Sequence, residues 1–151
     1  MRYLSTRGVD KNLSFKGILF SGLASDGGLY VPEKWPQVDY EKLKKQSNYS
    51  DLAFEIIHPF MEGDIENKQL KKIINDAYSN FSRDEIISFK NLKKNEKIIE
   101  LFNGPTLAFK DFAMQLIIPI FDYYLSSKKE KLNLIVATSG DTGSAAINAV
   151  Q

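Results

Sequence analysis

The segment from Phe109 to Leu125 is apolar on nearly every face of a helix, and this feature most restricts the folds open to the chain. A helix with so little polar surface has to be covered on most sides. The strand-length runs IIELF (98–102) and LNLIVA (132–137) flank it, and the loop TSGDTG and the helical segment SAAINAVQ follow. This is the rhythm of a βαβ unit, so we predict an α/β fold with a parallel sheet covered on both faces.

The first 90 residues show a different pattern and are predicted to form a small α+β domain of their own. Residues 1–36 are rich in turn signals and contain short strand-like runs. Asp39 and Ser50 are plausible N-caps of two helices. A third, amphipathic helix is predicted from 67 to 81, because apolar residues recur there at spacings of three and four. The polar stretch SFKNLKKNEK (88–97) is interpreted as a solvated linker, so the second domain is placed at 91–151.

Composition excludes several classes of protein. Lys plus Arg total 20 and Asp plus Glu total 19, which argues against a nucleic-acid binder. There is no cysteine and a single histidine, His58, so we predict no metal site and no disulfide. No apolar run has the length of a signal peptide or a membrane span, and we predict a cytoplasmic protein without a membrane partner.

Lys110 stands at the start of the apolar helix, in FNGPTLAFKDFA (102–113). Burial of an amine favours its neutral form, which is the form that makes Schiff bases. The alternative is a lysine whose stem packs on the protein while its head reaches solvent. The local pattern leaves both interpretations open.

The loop TSGDTGSAA (138–146) follows the second predicted strand and opens a helix. Its glycines allow close approach of the backbone, and free N–H groups at a helix start favour an anion. A tight turn with a capped helix is the alternative, and Asp141 would oppose an anion. Both loops are predicted at the carboxyl ends of neighbouring parallel strands, where open α/β sheets bind ligands. An amine and an anion cradle on one rim suggest chemistry on an amino acid.

The motifs ELFNGPTLAFKDFA and ATSGDTGSAA closely resemble, in order, the cofactor-lysine motif and the substrate loop of threonine synthases. The N-terminal YLSTRG and GLASDGGLYVPE resemble the small N-terminal domain of the same family. The resemblance implies a fold-type II pyridoxal-phosphate (PLP) enzyme. It would convert O-phospho-L-homoserine and water into L-threonine and phosphate.

The resemblance also implies roles for individual residues. Lys110 matches the lysine that binds PLP as a Schiff base and then moves protons. Asp141 matches a position beside the cofactor ring. The residues matching the loop that holds the substrate carboxylate are Ser139, Gly140, Thr142 and Gly143. Asn103 departs from the family, whose members commonly have histidine before GPT, and no catalytic role is assigned to it.

Parts of the family's site have no match in these residues, namely the glycine-rich loop for the cofactor phosphate and the hydroxyl partner of the pyridine nitrogen. Two strands and their helices would also leave an apolar face uncovered. We therefore expect a truncated, inactive N-terminal piece of a longer enzyme, whose oligomeric state is open. A non-catalytic anion-binding module of the same fold is the alternative. A related lyase is less favoured, because other members of the fold begin differently.

Overall fold

The computed structural model describes residues 1–81 and 85–151 and shows a mixed α/β chain. The chain divides into two compact units, Met1–Lys71 and Lys72–Gln151. This division follows the packing, and the domain boundary expected after residue 90 stays a prediction. The described residues form, in order, β1 (Tyr3–Ser5), α1 (Phe15–Ser21), β2 (Tyr30–Pro32), α2 (Tyr40–Leu43), α3 (Tyr49–Met61), α4 (Asn67–Ser79), β3 (Ser88–Lys93), β4 (Glu96–Glu100), α5 (Asp111–Ser126) and α6 (Asp141–Val150).

The first unit contains the two short strands expected near the N-terminus. β1 pairs antiparallel with β2, with Tyr3 opposite Pro32. The helix α1 was not predicted, although its signals are present in the sequence. The side chain of Ser14 accepts a hydrogen bond from the Gly17 N–H at its start, and Gly22 ends it with φ 69°. A serine before an apolar run and a glycine after it are the start and stop signals of a helix.

Two further helices of the first unit test the predicted caps. Asp39 caps α2 as predicted and accepts from two backbone N–H groups. The prediction of Ser50 as the cap of α3 is wrong. The helix begins at Tyr49, two residues before the start that a cap at Ser50 would give, because extended Asn48 places its side-chain oxygen 2.8 Å from the Asp51 nitrogen. An N-cap needs this extended backbone, which Ser50 lacks because it already lies in the helix.

The helix α4 confirms the amphipathic pattern that predicted it. Its apolar stripe, extended to Phe81 just beyond the helix, is buried, while the residues at the intervening positions are exposed. The burial follows from the spacing of three and four, which places apolar residues on one face. The buried residues are Leu70, Ile73, Ile74, Ala77, Tyr78 and Phe81.

The strands β3 and β4 of the second unit form a hairpin. β3 pairs antiparallel with β4, and Phe89 lies opposite Ile99. The stretch 88–97 is exposed, as predicted, but it is a hairpin and not a linker. The polar residues misled the prediction, because a two-stranded sheet with both faces exposed lacks the alternation of polar and apolar residues that signals a strand.

The prediction of a strand at 132–137 is wrong, because the structure shows no strand there. The described residues contain only antiparallel strand pairs. A strand needs a neighbour to satisfy its backbone N–H and C=O groups, and no described residue supplies one here. The apolar run is exposed, with Ile135 at 91%. It borders an open cavity of about 890 Å³ between this segment, α5 and α6.

The core of the second unit lies where α4, α5 and α6 meet. Ile120 of α5 and Ala145 of α6 are at most 1% exposed. Tyr78 and Phe81 pack against Phe112, and the ring centroids of Phe81 and Phe112 are 5.0 Å apart. None of the helices that the structure describes is long and apolar enough to cross a membrane. The cytoplasmic location stays a prediction.

Candidate active site

Lys110 occupies the N-cap position of α5, one residue before the helix proper. Its carbonyl oxygen accepts the first helical hydrogen bonds, from Ala113 N at 3.2 Å and Met114 N at 3.0 Å. The helix therefore begins at Asp111 and not at Phe109, because a turn that the Asp111 N–H closes on Ala108 O precedes it. Lys110 thus joins a tight loop to a rigid helix, which restricts the direction of its side chain.

Lys110 is half-buried, and its amine has no acidic partner among residues 1–81 and 85–151. Its Nζ lies 4.5 Å from the centroid of the Phe109 ring, which is itself 57% exposed. The face of an aromatic ring attracts a cation only weakly. The amine can therefore bind a ligand without the loss of an ion pair.

The loop before Lys110 is closed by a buried carboxylate. Asp111 is fully buried, and its two oxygens accept hydrogen bonds from the backbone N–H and the hydroxyl of Thr106, each at 2.8 Å. The sequence analysis did not assign a role to either residue. A signal for this contact was present in the sequence, namely a threonine five residues before an aspartate at a helix start. At this spacing the aspartate side chain can accept hydrogen bonds from the preceding loop.

Asn103 lies on the other side of this loop and is 1% exposed. Its side-chain amide donates a hydrogen bond to the carbonyl oxygen of Glu85 at 2.9 Å. The contact holds the loop to the segment that leads into β3.

The predicted substrate loop is the start of α6. Asp141, Thr142 and Gly143 belong to its first helical turn, and Gly140 is the N-cap, with φ 143°. Thr138, whose role was not predicted, shapes this turn. Its hydroxyl oxygen accepts hydrogen bonds from Gly140 N at 2.8 Å and Gly143 N at 3.2 Å.

The backbone N–H groups of Asp141 and Thr142 have no acceptor among the residues that the structure describes. Such N–H groups at a helix N-terminus can bind an anion. The hydroxyl of Ser139 and the carboxylate of Asp141 are exposed beside them. The turn thus offers donors and one acceptor to a ligand that carries both a carboxylate and a hydrogen-bond donor.

The helices that carry these two groups are packed together. Gln115 of α5 donates a hydrogen bond to Asn148 of α6 at 2.8 Å. Residues of both helices, among them Ile118 and Ala149, also line one cavity. With a rise of about 1.5 Å per residue, the contact lies about 7.5 Å after Lys110 and about 10.5 Å after Asp141. That Lys110 and residues 139–143 form one site stays a prediction.

Relatives among known proteins cover the whole chain. Residues 2–78 match the family model described as the threonine synthase N terminus. Threonine synthase of Pseudomonas aeruginosa is 47% identical over 149 residues, which cover 97% of this chain and 32% of that protein. A protein named threonine synthase-like 2 from Rattus norvegicus is 41% identical over 154 residues, covering 100% of this chain and 32% of the relative.

A solved structure gives the same result for the fold. The crystal structure of PLP-bound threonine synthase from Brucella melitensis matches with a TM-score of 0.92 and 42% identity, over 99% of this chain and 32% of that chain. This agreement confirms the predicted fold class, the first part of a fold-type II enzyme. The chain spans about a third of the length of the curated relatives it matches. The family model covers half of the chain, and the relatives agree with it over nearly all residues, so the chain belongs to the threonine synthase family.

Proposed function

We propose that these residues are the N-terminal part of a PLP-dependent threonine synthase, here called the parent enzyme. The parent enzyme would convert O-phospho-L-homoserine and water into L-threonine and inorganic phosphate. The observation that carries this proposal is the position of Lys110. A lysine whose amine has no acidic partner in the described part of the chain stands at the helix start, in a chain that belongs to this family. The Brucella relative is PLP-bound, which supports the same cofactor here.

Among the residues present, Lys110 fits the part of PLP that forms a covalent bond, which is its aldehyde group. A primary amine that lies over an aromatic ring and has no ion pair among the described residues gives up little when it bonds the aldehyde carbon of the cofactor. The cofactor, when bound, withdraws electrons from the carbon atoms of the attached amino acid. Lys110 would hold it, and its Nζ, once released, would take up and return protons beside the substrate carbons.

The start of α6 would hold the substrate. The free N–H groups of Asp141 and Thr142 are suited to a carboxylate, and the helix dipole favours a negative charge there. Ser139, Gly140 and Gly143 complete the turn, with Ser139 adding a hydroxyl donor. We propose that the Asp141 carboxylate faces the cofactor ring and accepts a hydrogen bond, so that it does not repel the substrate.

A trapping experiment tests the covalent role. The parent enzyme is incubated with PLP and reduced with borohydride, and peptides are analysed for a pyridoxyl group. We expect the group on Lys110 and its loss in Lys110→Ala, with Lys97→Ala as the control, since Lys97 is an exposed lysine of β4. No adduct on Lys110, or one that persists elsewhere after Lys110→Ala, would favour the non-catalytic anion-binding module instead.

A second experiment tests the substrate. The relatives include proteins named threonine synthase and one named threonine synthase-like 2, so family membership alone does not fix the reaction. Phosphate release is compared for O-phosphohomoserine and O-phosphoserine, and the amino acid product is identified. Release from O-phosphohomoserine with threonine as product supports the proposal. Release without threonine indicates a different lyase reaction.

We also propose that the 151 residues alone do not turn over substrate. They supply the lysine and the carboxylate turn, whereas the phosphate loop and the partner of the pyridine nitrogen have no match in them. Addition of PLP and O-phosphohomoserine to the isolated chain should therefore release no phosphate. Release at the rate of the parent enzyme would contradict this.

A further inference from the structure

Asp111 follows Lys110 in the sequence, and its carboxylate is buried. The hydrogen bonds that the structure shows to this carboxylate come from within the loop itself. Among residues 1–81 and 85–151 no lysine or arginine pairs with it. Its hydrogen bonds come from the N–H and the hydroxyl of Thr106, both at 2.8 Å. A carboxylate without a cation is costly to bury, so such a position needs an explanation beyond packing.

The loop is wound tightly around this carboxylate. A Cβ added to Gly104 would lie 2.4 Å from the Asp111 Cβ and 2.4 Å from its Oδ2, so only glycine fits there. The Leu107 N–H donates to Gly104 O at 3.0 Å, and Leu107 adopts the left-handed conformation with φ 60°. This conformation is strained for a residue with a Cβ.

The strain at Leu107 is not offset by burial of its own side chain, which is 68% exposed. The hydrogen bonds of Thr106 to Asp111 hold the strained turn closed together with the bond from the Leu107 N–H to Gly104 O. Three residues later, Lys110 leaves the same loop and enters α5. The backbone at Lys110 is thus held from one side by the closed loop and from the other by the helix.

We propose that Asp111 is a positioning residue for Lys110. Its carboxylate, bound by Thr106 and packed on Gly104, fixes the loop 104–109 and so the direction in which the Lys110 amine leaves the helix start. The inference rests on the proposed function, in which that amine must meet the aldehyde carbon of PLP. A misplacement of about 1 Å can lower the rate of such a bond-forming step by about a hundredfold.

The test uses two measurements on Lys110 in the parent enzyme. The first is the rate at which borohydride traps a pyridoxyl group on Lys110 at a fixed PLP concentration. The second needs no cofactor: it is the rate at which an acylating reagent labels Lys110 relative to exposed Lys68, from peptide mass spectrometry. The variants are Asp111→Asn, Thr106→Val and Thr106→Ser. Thr106→Val removes one donor, and Thr106→Ser keeps both.

We expect Asp111→Asn to lower the trapping rate by about tenfold or more, because the amine is no longer aimed at the aldehyde. The labelling ratio should rise by about threefold, because the released loop exposes the amine. Thr106→Val should shift both quantities in the same directions by less, and Thr106→Ser should restore the values of the natural chain. The opposite changes of the two rates are the signature of positioning.

Two controls separate positioning from stability. Asp122→Asn removes an exposed carboxylate whose hydrogen-bond donor in the described part of the chain is Ser126 on the same helix. Ile74→Val opens a small cavity in the core and should lower the melting temperature without changing either rate at Lys110. If Asp111→Asn and Thr106→Val lower the melting temperature but leave both rates unchanged, the role is structural and the inference is overturned.

The outcomes also separate this inference from the proposed function. If the natural parent enzyme gives no pyridoxyl group on Lys110, the proposed function fails, and the labelling ratio alone decides the positioning role. If Asp111→Asn does not fold, Thr106→Val decides. A labelling ratio in Thr106→Val that equals the natural value would then overturn the inference.

Discussion

Gln115 on α5 donates a hydrogen bond from Nε2 to Oδ1 of Asn148 on α6, at 2.8 Å. Gln115 is only 5% exposed, so its amide depends on this partner. The contact joins the helix that begins after Lys110 to the helix that begins at Asp141. It therefore couples the proposed cofactor lysine to the proposed carboxylate turn.

Replacement of Asn148 by alanine should weaken α6. The buried Gln115 amide then loses its acceptor, which costs about 1–3 kcal/mol. The double variant Gln115→Leu, Asn148→Leu removes both polar groups and should recover part of the loss. The measurement is the free energy of local opening of residues 141–150, from hydrogen exchange in the parent enzyme.

The control is Asn75→Ala, which removes an exposed asparagine from α4. It should leave the exchange of α6 unchanged. If Asn148→Ala also leaves it unchanged, the hydrogen bond does not hold the two helices together. If the double variant is as weak as Asn148→Ala, the loss comes from packing and not from an unsatisfied amide.

Replacement of Thr138 by valine should impair substrate binding in the parent enzyme. The change removes the oxygen that accepts from Gly140 N and Gly143 N and so loosens the turn. A loss of about 1.4 kcal/mol in ordering the turn corresponds to an approximately tenfold rise in KM for O-phosphohomoserine. Thr138→Ser keeps the hydroxyl and should keep the natural KM. Equal KM values for the valine and serine variants would show that the hydroxyl does not shape the site.

Gly140 and Gly143 should respond differently to alanine. Gly140 has φ 143° and ψ −66°, a conformation that side chains rarely adopt, so Gly140→Ala should destabilise the turn by about 1–3 kcal/mol. Gly143 lies in the helix without a positive φ, and an added Cβ would meet the Thr138 Oγ1 at 3.4 Å, an ordinary contact. Gly143→Ala should therefore be neutral or stabilise the helix by up to about 1 kcal/mol. Hydrogen exchange of residues 141–150 measures both, and equal losses would contradict the difference.

The sequence predicted those parts of the fold that depend on local periodicity. The buried stripe of α4 and the Asp39 cap are examples, since each is encoded within a few residues. The strand prediction for residues 132–137 was wrong for the opposite reason. Their apolar run indicates a strand, but a strand forms only when a neighbouring strand pairs with it. Among the described residues no such neighbour exists.

The candidate site shows the same limit. Lys110 and the turn at 139–143 were predicted as site residues because a lysine before an apolar helix and glycines before a helix are visible as patterns, and because both stretches resemble motifs of the family. Asp111 and Thr106 were missed because their link depends on the loop backbone, which Leu107 turns through a left-handed conformation. No local propensity of leucine predicts that conformation.

Tyr3 should make the stability of the chain fall at alkaline pH. Burial, with a smaller effect from the Asp64 carboxylate, raises the pKa of Tyr3 to about 12. Its hydroxyl donates to Phe60 O at 2.5 Å, a bond that the ionised phenol cannot make. The unfolded chain has a tyrosine pKa of about 10. The folded state therefore binds this proton more tightly, and its contribution is complete below about pH 10 and is lost as pH rises towards about 12.

The variant Tyr3→Phe tests this sign. At neutral pH it should unfold more easily by about 1 kcal/mol, because the Phe60 carbonyl loses its donor. Between about pH 10 and pH 12 the natural chain should lose this advantage over the variant, since only the natural chain has this proton to release. Denaturant unfolding of both proteins at several pH values gives the difference, and Tyr40→Phe, at an exposed tyrosine, is the control. A difference that stays constant across this range would show that Tyr3 ionises equally in the folded and unfolded states.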